Sequence, residues 1–219
     1  MFLEIQGLLN AQEVARLNAL AGQVKFVDGR ISNPASEAKN NLQADHADPS
    51  YAETVRIVGD AIARSREFRD FAFPRRVAPP LLCRYEPDMK YGVHADAAYM
   101  QLGDNLLRSD ISCTVFISHP ASYEGGELTI HIGRALPIKG APGDAILYPS
   151  TTLHEVQPVR SGRRLVSITF IESLVPDEKK RELLFELNEI AALEGLNMDW
   201  LSRARLDVVR QNLMRMWTA

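Results

Sequence analysis

The sequence has few of the features that would place it in a membrane, in a disulfide framework or on a nucleic acid. Only two of its 219 residues are cysteine, Cys83 and Cys113, which predicts a reduced, cytoplasmic protein. No apolar run approaches the length of a membrane span, and the amino terminus has no basic start of a signal peptide. The net charge of −3 gives no field that favours nucleic acid or an anionic membrane.

The composition is that of a globular protein with a sizeable core, since 46% of the residues are hydrophobic and 24% are charged. The first third of the chain is typical of helices. Asn10 and Glu13 have the spacing of a capping box, and Asp48-Pro49 predicts the start of a second helix with proline at its first position. The polar segment Asp28–Asp45 between them predicts a loop.

The pattern changes from Pro79 to one of short strands separated by turn signals. Seven runs rich in β-branched and aromatic residues follow one another without intervening helices. They are Leu81–Tyr85, Tyr91–Asp96, Ile111–Ser118, Glu127–Ile132, Ala145–Tyr148, Thr151–Val156 and Arg164–Ile171. Such a series cannot form a parallel α/β sheet, so it predicts an antiparallel sandwich or jelly roll.

Helical spacing returns after Pro176, which predicts a division into a barrel domain (1–175) and a helical extension (176–219). The apolar residues of the tail are Leu206, Val209, Leu213, Met216 and Trp217. They predict either a contact between copies in a homo-oligomer or a cap on the barrel.

A short motif, His94-Ala95-Asp96, lies in a run that is typical of a strand. Side chains two positions apart in a strand share a face, so an imidazole and a carboxylate lie side by side. Alone this pair is weak evidence, because a surface or turn pair has the same residues. His154 in a second strand-like run strengthens it. Two histidines and one carboxylate from two strands form the facial triad of non-haem iron(II) oxygenases, so these three residues are the predicted metal ligands and catalytic centre.

Arg164 lies ten residues after His154, beyond the turn at Ser161-Gly162. A planar guanidinium binds a carboxylate through two parallel hydrogen bonds, as the far carboxylate of a chelating 2-oxoglutarate requires. The alternative is a solvated basic turn shared with Arg160 and Arg163. Alternation places Arg164 on the apolar face of its strand, where an arginine needs an anionic partner. The sequence therefore favours the binding role.

These residues resemble a known family, the bacterial PKHD-type hydroxylases of the prolyl-4-hydroxylase-like branch of 2-oxoglutarate dioxygenases. The resemblance covers nearly the whole chain and rests on further motifs: Lys39-Asn40-Asn41, Arg84-Tyr85, Tyr91-Gly92-Val93-His94, Arg108-Ser109-Asp110-Ile111-Ser112 and Tyr123-Glu124-Gly125-Gly126-Glu127-Leu128. Two positions depart from the family pattern. Asp88 replaces the usual glycine before the metal strand, and His131 stands where no ligand is expected. Neither belongs to the triad, so they bear on substrate preference.

The resemblance implies a mainly β fold with flanking helices (α+β) and a double-stranded β-helix (jelly roll) core. It implies a hydroxylase that uses iron(II), 2-oxoglutarate and O2, commonly with ascorbate to keep the iron reduced. It does not identify the substrate, and both a siderophore-type small molecule and a peptide side chain are open. Two other classes are also open: a non-catalytic iron or 2-oxoglutarate sensor, and a cupin-like metalloenzyme that does not use 2-oxoglutarate.

Two further features have two interpretations each. Tyr85 either binds 2-oxoglutarate through its hydroxyl or only packs in the barrel. The segment Ala97–Asp110 directly follows the metal ligands and is either a substrate lid or ordinary packing. The remaining histidines, His46, His119 and His131, are predicted to lie outside the metal site.

Overall fold

The structure, a computed structural model, describes residues 1–33 and 37–218. Residues 34–36 of the predicted loop therefore lie outside the described residues. Within the described part, no helix is both long enough and apolar enough to cross a membrane.

Helices lie near both ends of the chain, and short strands fill the middle. The α-helices are α1 (Ala11–Ala21), α2 (Tyr51–Arg64), α3 (Arg66–Ala72), α4 (Glu178–Glu194) and α5 (Trp200–Trp217). The strands are β1 (Leu3–Ile5), β2 (Phe26–Asp28), β3 (Lys39–Asn40), β4 (Leu42–Ala44), β5 (Pro74–Val77), β6 (Leu81–Tyr85), β7 (Lys90–His94), β8 (Tyr99–Leu102), β9 (Asn105–Arg108), β10 (Ile111–Phe116), β11 (Tyr123–Gly125), β12 (Leu128–His131), β13 (Ala135–Ile138), β14 (Ala145–Pro149), β15 (His154–Val156), β16 (Val159–Gly162) and β17 (Arg164–Ser173). The predicted strand region is thus confirmed, although the five strands β1 to β5 lie before Pro79.

Two antiparallel sheets form the body of the fold. The larger sheet has the order β1-β14-β10-β17-β6-β4-β2, and β5 pairs with the far end of β17. The smaller sheet has the order β13-β12-β15-β7-β3. Two sheets of this kind form a jelly roll, so the predicted mainly β fold with flanking helices is confirmed.

Two apolar layers hold the sheets and helices together. One lies between the larger sheet and the helices α1 to α3 and includes Leu17, Phe68 and Leu82. The other lies between the two sheets and includes Ile130 and Val166. All five side chains are at most 1% exposed, and full burial of each such side chain stabilises the fold by about 1.5–3 kcal/mol.

The two cysteines belong to different layers. Cys83 lies between the sheets and Cys113 lies in the layer beneath the helices, and both are free thiols. Burial raises the pKa of the Cys83 thiol to about 11 and that of Cys113 to about 12, so both are buried, unreactive thiols.

Helix α1 begins as the sequence predicts. The Asn10 side chain accepts a hydrogen bond from the backbone N–H of Glu13 at 3.0 Å, and the Glu13 carboxylate accepts one from the N–H of Asn10 at 2.8 Å. This reciprocal capping box satisfies two backbone donors at the helix terminus.

The region after α1 differs from the prediction in two respects. The second helix begins at Tyr51, because the Asp48 carboxylate accepts backbone hydrogen bonds from Lys25 and Ser50 and forms a turn. The predicted loop Asp28–Asp45 contains strands β3 and β4. They pair with β7 and β6, so partners distant in the sequence stabilise strands that are too short to show a period.

The C-terminal helices pack on the body of the protein along one face. Leu184 of α4 forms a small cluster with Phe73 and Val175, and Leu213 and Trp217 of α5 pack against it. One of the two interpretations of the tail, a cap on the barrel, therefore accounts for these side chains. The contact between copies and the domain division at residue 176 stay predictions.

Candidate metal centre and adjoining cavity

Three side chains that can bind a metal ion converge between the two sheets. His94 on β7 and His154 on β15 are opposite each other in register, and Asp96 follows the end of β7. One ligand atom of each residue lies within 4.8 Å of the other two. The Nε2 atoms of His94 and His154 are 3.9 and 3.7 Å from oxygens of the Asp96 carboxylate. In the described part of the chain, no other group of His, Cys, Asp or Glu has this arrangement.

Hydrogen bonds, rather than strand geometry, direct the carboxylate of Asp96. The prediction placed this residue within the metal strand, but β7 ends at His94, so alternation does not explain the direction of Asp96. Its backbone N–H donates to the carbonyl of Ser150 at 3.1 Å. The Ser112 hydroxyl donates to Asp96 Oδ2 at 2.5 Å. These two contacts turn the carboxylate toward the imidazoles.

Both imidazoles are oriented for binding through Nε2. The Nδ1 atom of His94 lies 2.8 Å from the carbonyl oxygen of Gly92, and that of His154 lies 2.9 Å from the carbonyl oxygen of Thr152. An Nδ1–H that donates to a carbonyl leaves the Nε2 lone pair free for a metal. Burial, together with the nearby His154, lowers the pKa of His94, which favours the neutral ring that a metal requires.

Aromatic rings flank both imidazoles. The Tyr91 ring stacks on His94 with 3.6 Å between ring centroids, and the Tyr148 ring meets His154 edge-on at 5.0 Å. These contacts fix the planes of the two imidazoles and keep water from their sides. Neither contact was predicted, although Tyr91 belongs to a motif that carried the family resemblance.

Arg164 points inward, as its position in the alternation predicts. It is 1% exposed, and its guanidinium carbon lies 5.0 Å from the ring centroid of Tyr85, which is its register partner on β6. Burial raises the pKa of the Tyr123 phenol, and the nearby charge of Arg164 opposes that rise. The buried Nε–H of Arg164 has no hydrogen-bond partner among the described residues. A buried guanidinium donor without an acceptor fits a site for a carboxylate.

Gly126, in the motif around Tyr123, makes room for this arginine. Gly126 has a φ of +65°, a conformation that side chains rarely adopt. A Cβ atom there would lie 3.2 Å from Cδ of Arg164 and 2.9 Å from Cγ2 of Val159. The glycine therefore leaves room for the aliphatic part of the Arg164 side chain.

The triad, Arg164 and Tyr85 share one large cavity of about 930 Å³. From the metal site it extends to the N-terminal elements, where Lys39, Gln43 and Tyr51 line it. Its volume lies near the upper end of the usual range for small-molecule pockets, about 300–1,000 Å³. A molecule as small as 2-oxoglutarate would fill only a minor part of it.

The other histidines have structural partners outside the triad. His131 lies 3.2 Å from the Glu155 carboxylate, and the ring of His119 accepts a hydrogen bond from the backbone N–H of Ala121. His46 stacks on Tyr51 with 4.5 Å between ring centroids, within the same cavity. The departure at Asp88 has a simple explanation, since its φ of 69° is the left-handed conformation for which glycine is usual and aspartate is tolerated.

Comparisons with known proteins define the class. A model of the 2OG-Fe(II) oxygenase superfamily matches residues 80–172, the range that contains the triad and Arg164. The solved prolyl-4-hydroxylase of Pseudomonas putida aligns with a TM-score of 0.56 at 16% identity, over 78% of this chain and 92% of that one. The alpha-ketoglutarate-dependent epimerase SnoN from nogalamycin biosynthesis aligns with a TM-score of 0.59 at 17% identity, over 80% of this chain and 78% of that one. At these identities the two structures support the jelly-roll fold alone.

Two curated relatives identify the family within this class. A PKHD-type hydroxylase of Sphingopyxis alaskensis is 53% identical over 218 residues, which is 99% of each chain. The PKHD-type hydroxylase YbiX of Escherichia coli O8 is 39% identical over 227 residues, covering 100% of this chain and 99% of that one. The chain belongs to the PKHD-type hydroxylases. It is an iron(II)- and 2-oxoglutarate-dependent dioxygenase, as the sequence predicts.

Proposed function

We propose that His94, Asp96 and His154 bind the iron(II) of this dioxygenase, and that Arg164 and Tyr85 bind 2-oxoglutarate beside it. One observation carries the assignment: the three ligand atoms converge in the same cavity as a buried arginine whose Nε–H lacks a partner. Two imidazoles and one carboxylate suit iron(II) and leave adjacent positions free for a chelating 2-oxo acid and O2.

The chain's own residues orient and enclose the reactants. The guanidinium of Arg164 holds the far carboxylate of 2-oxoglutarate through parallel hydrogen bonds, and the Tyr85 hydroxyl donates a further one. The bound iron supplies O2-dependent hydroxylation of a substrate C–H bond, coupled to conversion of 2-oxoglutarate to succinate and CO2. The buried walls around His154 and Tyr148 keep bulk water from the reaction.

The substrate, the reductant and the cellular setting belong to the same proposal. The substrate is either a small molecule, such as a siderophore-type metabolite, or a peptide side chain. The size of the cavity supports a substrate of either kind. Nucleic acid and membrane are not partners, in keeping with the net charge of −3. The enzyme works in the cytoplasm, where ascorbate or a similar reductant keeps the iron in its ferrous state.

The test of this proposal is the visible absorption spectrum of the protein with iron(II) and 2-oxoglutarate in the absence of oxygen. Wild type should show the weak charge-transfer band of an iron-bound 2-oxo acid, and His154→Ala should abolish it. Arg164→Met should raise the Kd for 2-oxoglutarate about 10- to 100-fold, since a hydrogen-bonded charge is lost. Arg163→Met, which changes the exposed neighbouring arginine, is the matched control.

Two results would contradict the proposal at different points. Wild type that binds iron(II) without developing the band would refute the placement of 2-oxoglutarate on the metal. If the Arg164→Met and Arg163→Met proteins bind 2-oxoglutarate with equal Kd values, the role of Arg164 is refuted, but the placement of iron(II) on the triad is not.

A further inference from the structure

A buried lysine lies in the cavity at a distance from Arg164. Lys39 on β3 is 6% exposed and lines the cavity. Its Nζ donates a hydrogen bond to Ser32 Oγ at 2.7 Å and lies 5.4 Å from the ring centroid of Tyr91. An ammonium group has three donors, and a hydroxyl and an aromatic ring do not neutralise its charge.

No carboxylate of the described residues forms an ion pair with Lys39. The two acidic side chains that influence it are engaged elsewhere. The Asp28 carboxylate forms an ion pair with the Arg30 guanidinium at 2.5 Å. Asp96 belongs to the triad, and its carboxylate accepts a hydrogen bond from the Ser112 hydroxyl. Burial lowers the pKa of Lys39, as expected for a cation without a counter-ion. Lysines this buried are nearly always paired, so the counter-ion of Lys39 is expected to come from outside the chain.

A second buried polar group lies on the adjoining strand. Gln43 on β4 is 3% exposed and lines the same cavity. Its Oε1 atom has no hydrogen-bond partner in the described part of the chain. Rotation of the amide by half a turn exchanges the oxygen and the nitrogen, so Gln43 can present either an acceptor or a donor to a ligand. A single residue, Asn41, separates β3 from β4, so at about 3.3 Å per residue the backbones of Lys39 and Gln43 are at most about 13 Å apart, and both side chains line the same cavity.

The strand order places this pair away from the predicted 2-oxoglutarate site. In the smaller sheet the order is His154 on β15, then β7, then Lys39 on β3. In the larger sheet it is Arg164 on β17, then β6, then Gln43 on β4. Two strand steps amount to about 10 Å. A 2-oxoglutarate between Arg164 and the triad therefore leaves Lys39 and Gln43 to another ligand.

We propose that Lys39 and Gln43 form the recognition site for a carboxylate group of the substrate, which places the substrate across His94 from the 2-oxoglutarate. The inference rests on the proposed function, because it takes the other end of the cavity to be occupied by the cosubstrate. It specifies the substrate class as small carboxylic acids, or peptides with a carboxylate that reaches into the cavity. Lys39 contacts the substrate anion directly, and Gln43 hydrogen-bonds either the same group or its neighbour.

The test compares carboxylates with amides of the same shape. Benzoate, phenylacetate and 3-phenylpropionate, each paired with its primary amide, are titrated by calorimetry into oxygen-free protein. Each titration is made with and without iron(II) and 2-oxoglutarate. Wild type should prefer the carboxylates, and Lys39→Met should reduce this preference about 10- to 100-fold. Lys39→Arg should retain part of it, and Lys90→Met, an exposed lysine on the neighbouring strand, should retain all of it.

Thermal unfolding gives a second readout that does not depend on catalysis. Replacing an unpaired buried charge with an apolar side chain of similar length should raise the Tm, and a bound carboxylate should raise the Tm of wild type but not of Lys39→Met. A fall in Tm on Lys39→Met would show that Lys39 is a structural residue and would overturn the proposal.

Two further results would also overturn it, and both are separable from failure of the proposed function. One is the absence of any carboxylate preference in wild type. The other is a rise in the 2-oxoglutarate Kd of Lys39→Met as large as that of Arg164→Met, which would assign Lys39 to the cosubstrate. If the charge-transfer band fails to form but a Lys39-dependent preference persists without iron, the proposed function fails and the carboxylate site stands.

Discussion

At the scale of single residues, the carboxylate of Asp96 depends on a row of buried hydroxyl groups. Ser112 donates to Asp96, and its Oγ lies 2.8 Å from the Oγ of Ser150, which in turn lies 2.8 Å from the Oγ of Ser109. All three serines are at most 6% exposed. Groups that hydrogen-bond a metal-binding carboxylate set its orientation, and their loss typically lowers metal affinity 10- to 100-fold.

We expect Ser112→Ala to weaken iron(II) binding about 10-fold and to leave the fold intact, because alanine fits the same space and removes only the hydroxyl. Anaerobic titration with iron(II) measures the affinity, and thermal unfolding measures the fold. The control is Ser167→Ala, which removes another buried hydroxyl, from β17, that lies outside this row. Iron affinity equal to that of wild type would show that Asp96 is held by its backbone alone.

The sequence predicts some parts of the site better than others, for a physical reason. His94, His154 and Arg164 could be proposed because they lie in strands, where alternation limits the direction of a side chain. Asp96 could be proposed only from its place two residues after His94, since it lies beyond the end of β7 and hydrogen bonds set its direction. Lys39 and its neighbours could not be assigned a role, because β3 has only two residues and its direction is set by pairing with β7. The sequence shows the motif that contains Lys39, but it does not show that the Lys39 ammonium group is buried without a counter-ion.

At the scale of secondary-structure elements, the segment after the metal ligands is an ordered hairpin rather than a loop. Strands β8 and β9 pair in register, with Met100 opposite Leu107. Leu107 is fully buried, whereas Tyr99 is 60% exposed and lines the cavity. The packing interpretation of Ala97–Asp110 therefore describes Leu107, whereas Tyr99 borders the cavity, and the lid role stays a prediction.

We expect Arg108→Ala to loosen this hairpin. The Arg108 guanidinium donates two hydrogen bonds to the Asp110 carboxylate, at 2.8 and 3.0 Å, and one to the carbonyl of Ser173 at 3.0 Å. Their loss should cost about 2 kcal/mol and make the hairpin more sensitive to chymotrypsin near Tyr99. Limited proteolysis followed by mass spectrometry measures the site of cleavage.

The matched control for the hairpin is Arg56→Ala, which removes an exposed ion pair with Asp60 on α2. Such a pair contributes at most about 0.5 kcal/mol, so its loss should leave cleavage unchanged. If Arg108→Ala is cleaved no faster than this control, packing of Leu107 alone holds the hairpin, and the lid interpretation loses its support.

The elements that were predicted are those with enough residues to show a period. Helix α1, with 11 residues and a capping box, and strand β10, with six buried residues, are clear in the sequence. The strands that were missed, such as β3 and β4, have two or three residues each. These short strands form because they pair with strands that are distant in the sequence, and the local sequence does not indicate that pairing.

At the scale of the whole molecule, the C-terminal helices leave an apolar surface in solvent. Leu184, Leu213 and Trp217 pack on the body, but other large apolar side chains point away from it. They are Leu193 (72% exposed), Leu196 (86%), Trp200 (82%), Leu201 (57%) and Val208 (59%). Apolar exposure of this extent is typical of an interaction surface. Of the tail residues on which the predicted contact between copies rests, Val209 and Met216 are also exposed, whereas Leu213 and Trp217 pack on the body, so the contact stays a prediction.

We expect the double variant Leu196→Ser and Trp200→Ser to lower the molecular mass of the protein in solution if this surface joins two copies of the chain. Both side chains are more than four-fifths exposed, so their replacement should change the free energy of unfolding by less than about 0.5 kcal/mol. Sedimentation velocity measures the mass. Trp217→Ala is the contrasting variant, because it removes packing against the body and should lower stability. An equal mass for wild type and the double variant would leave capping of the barrel as the role of the tail and refute self-association through this surface.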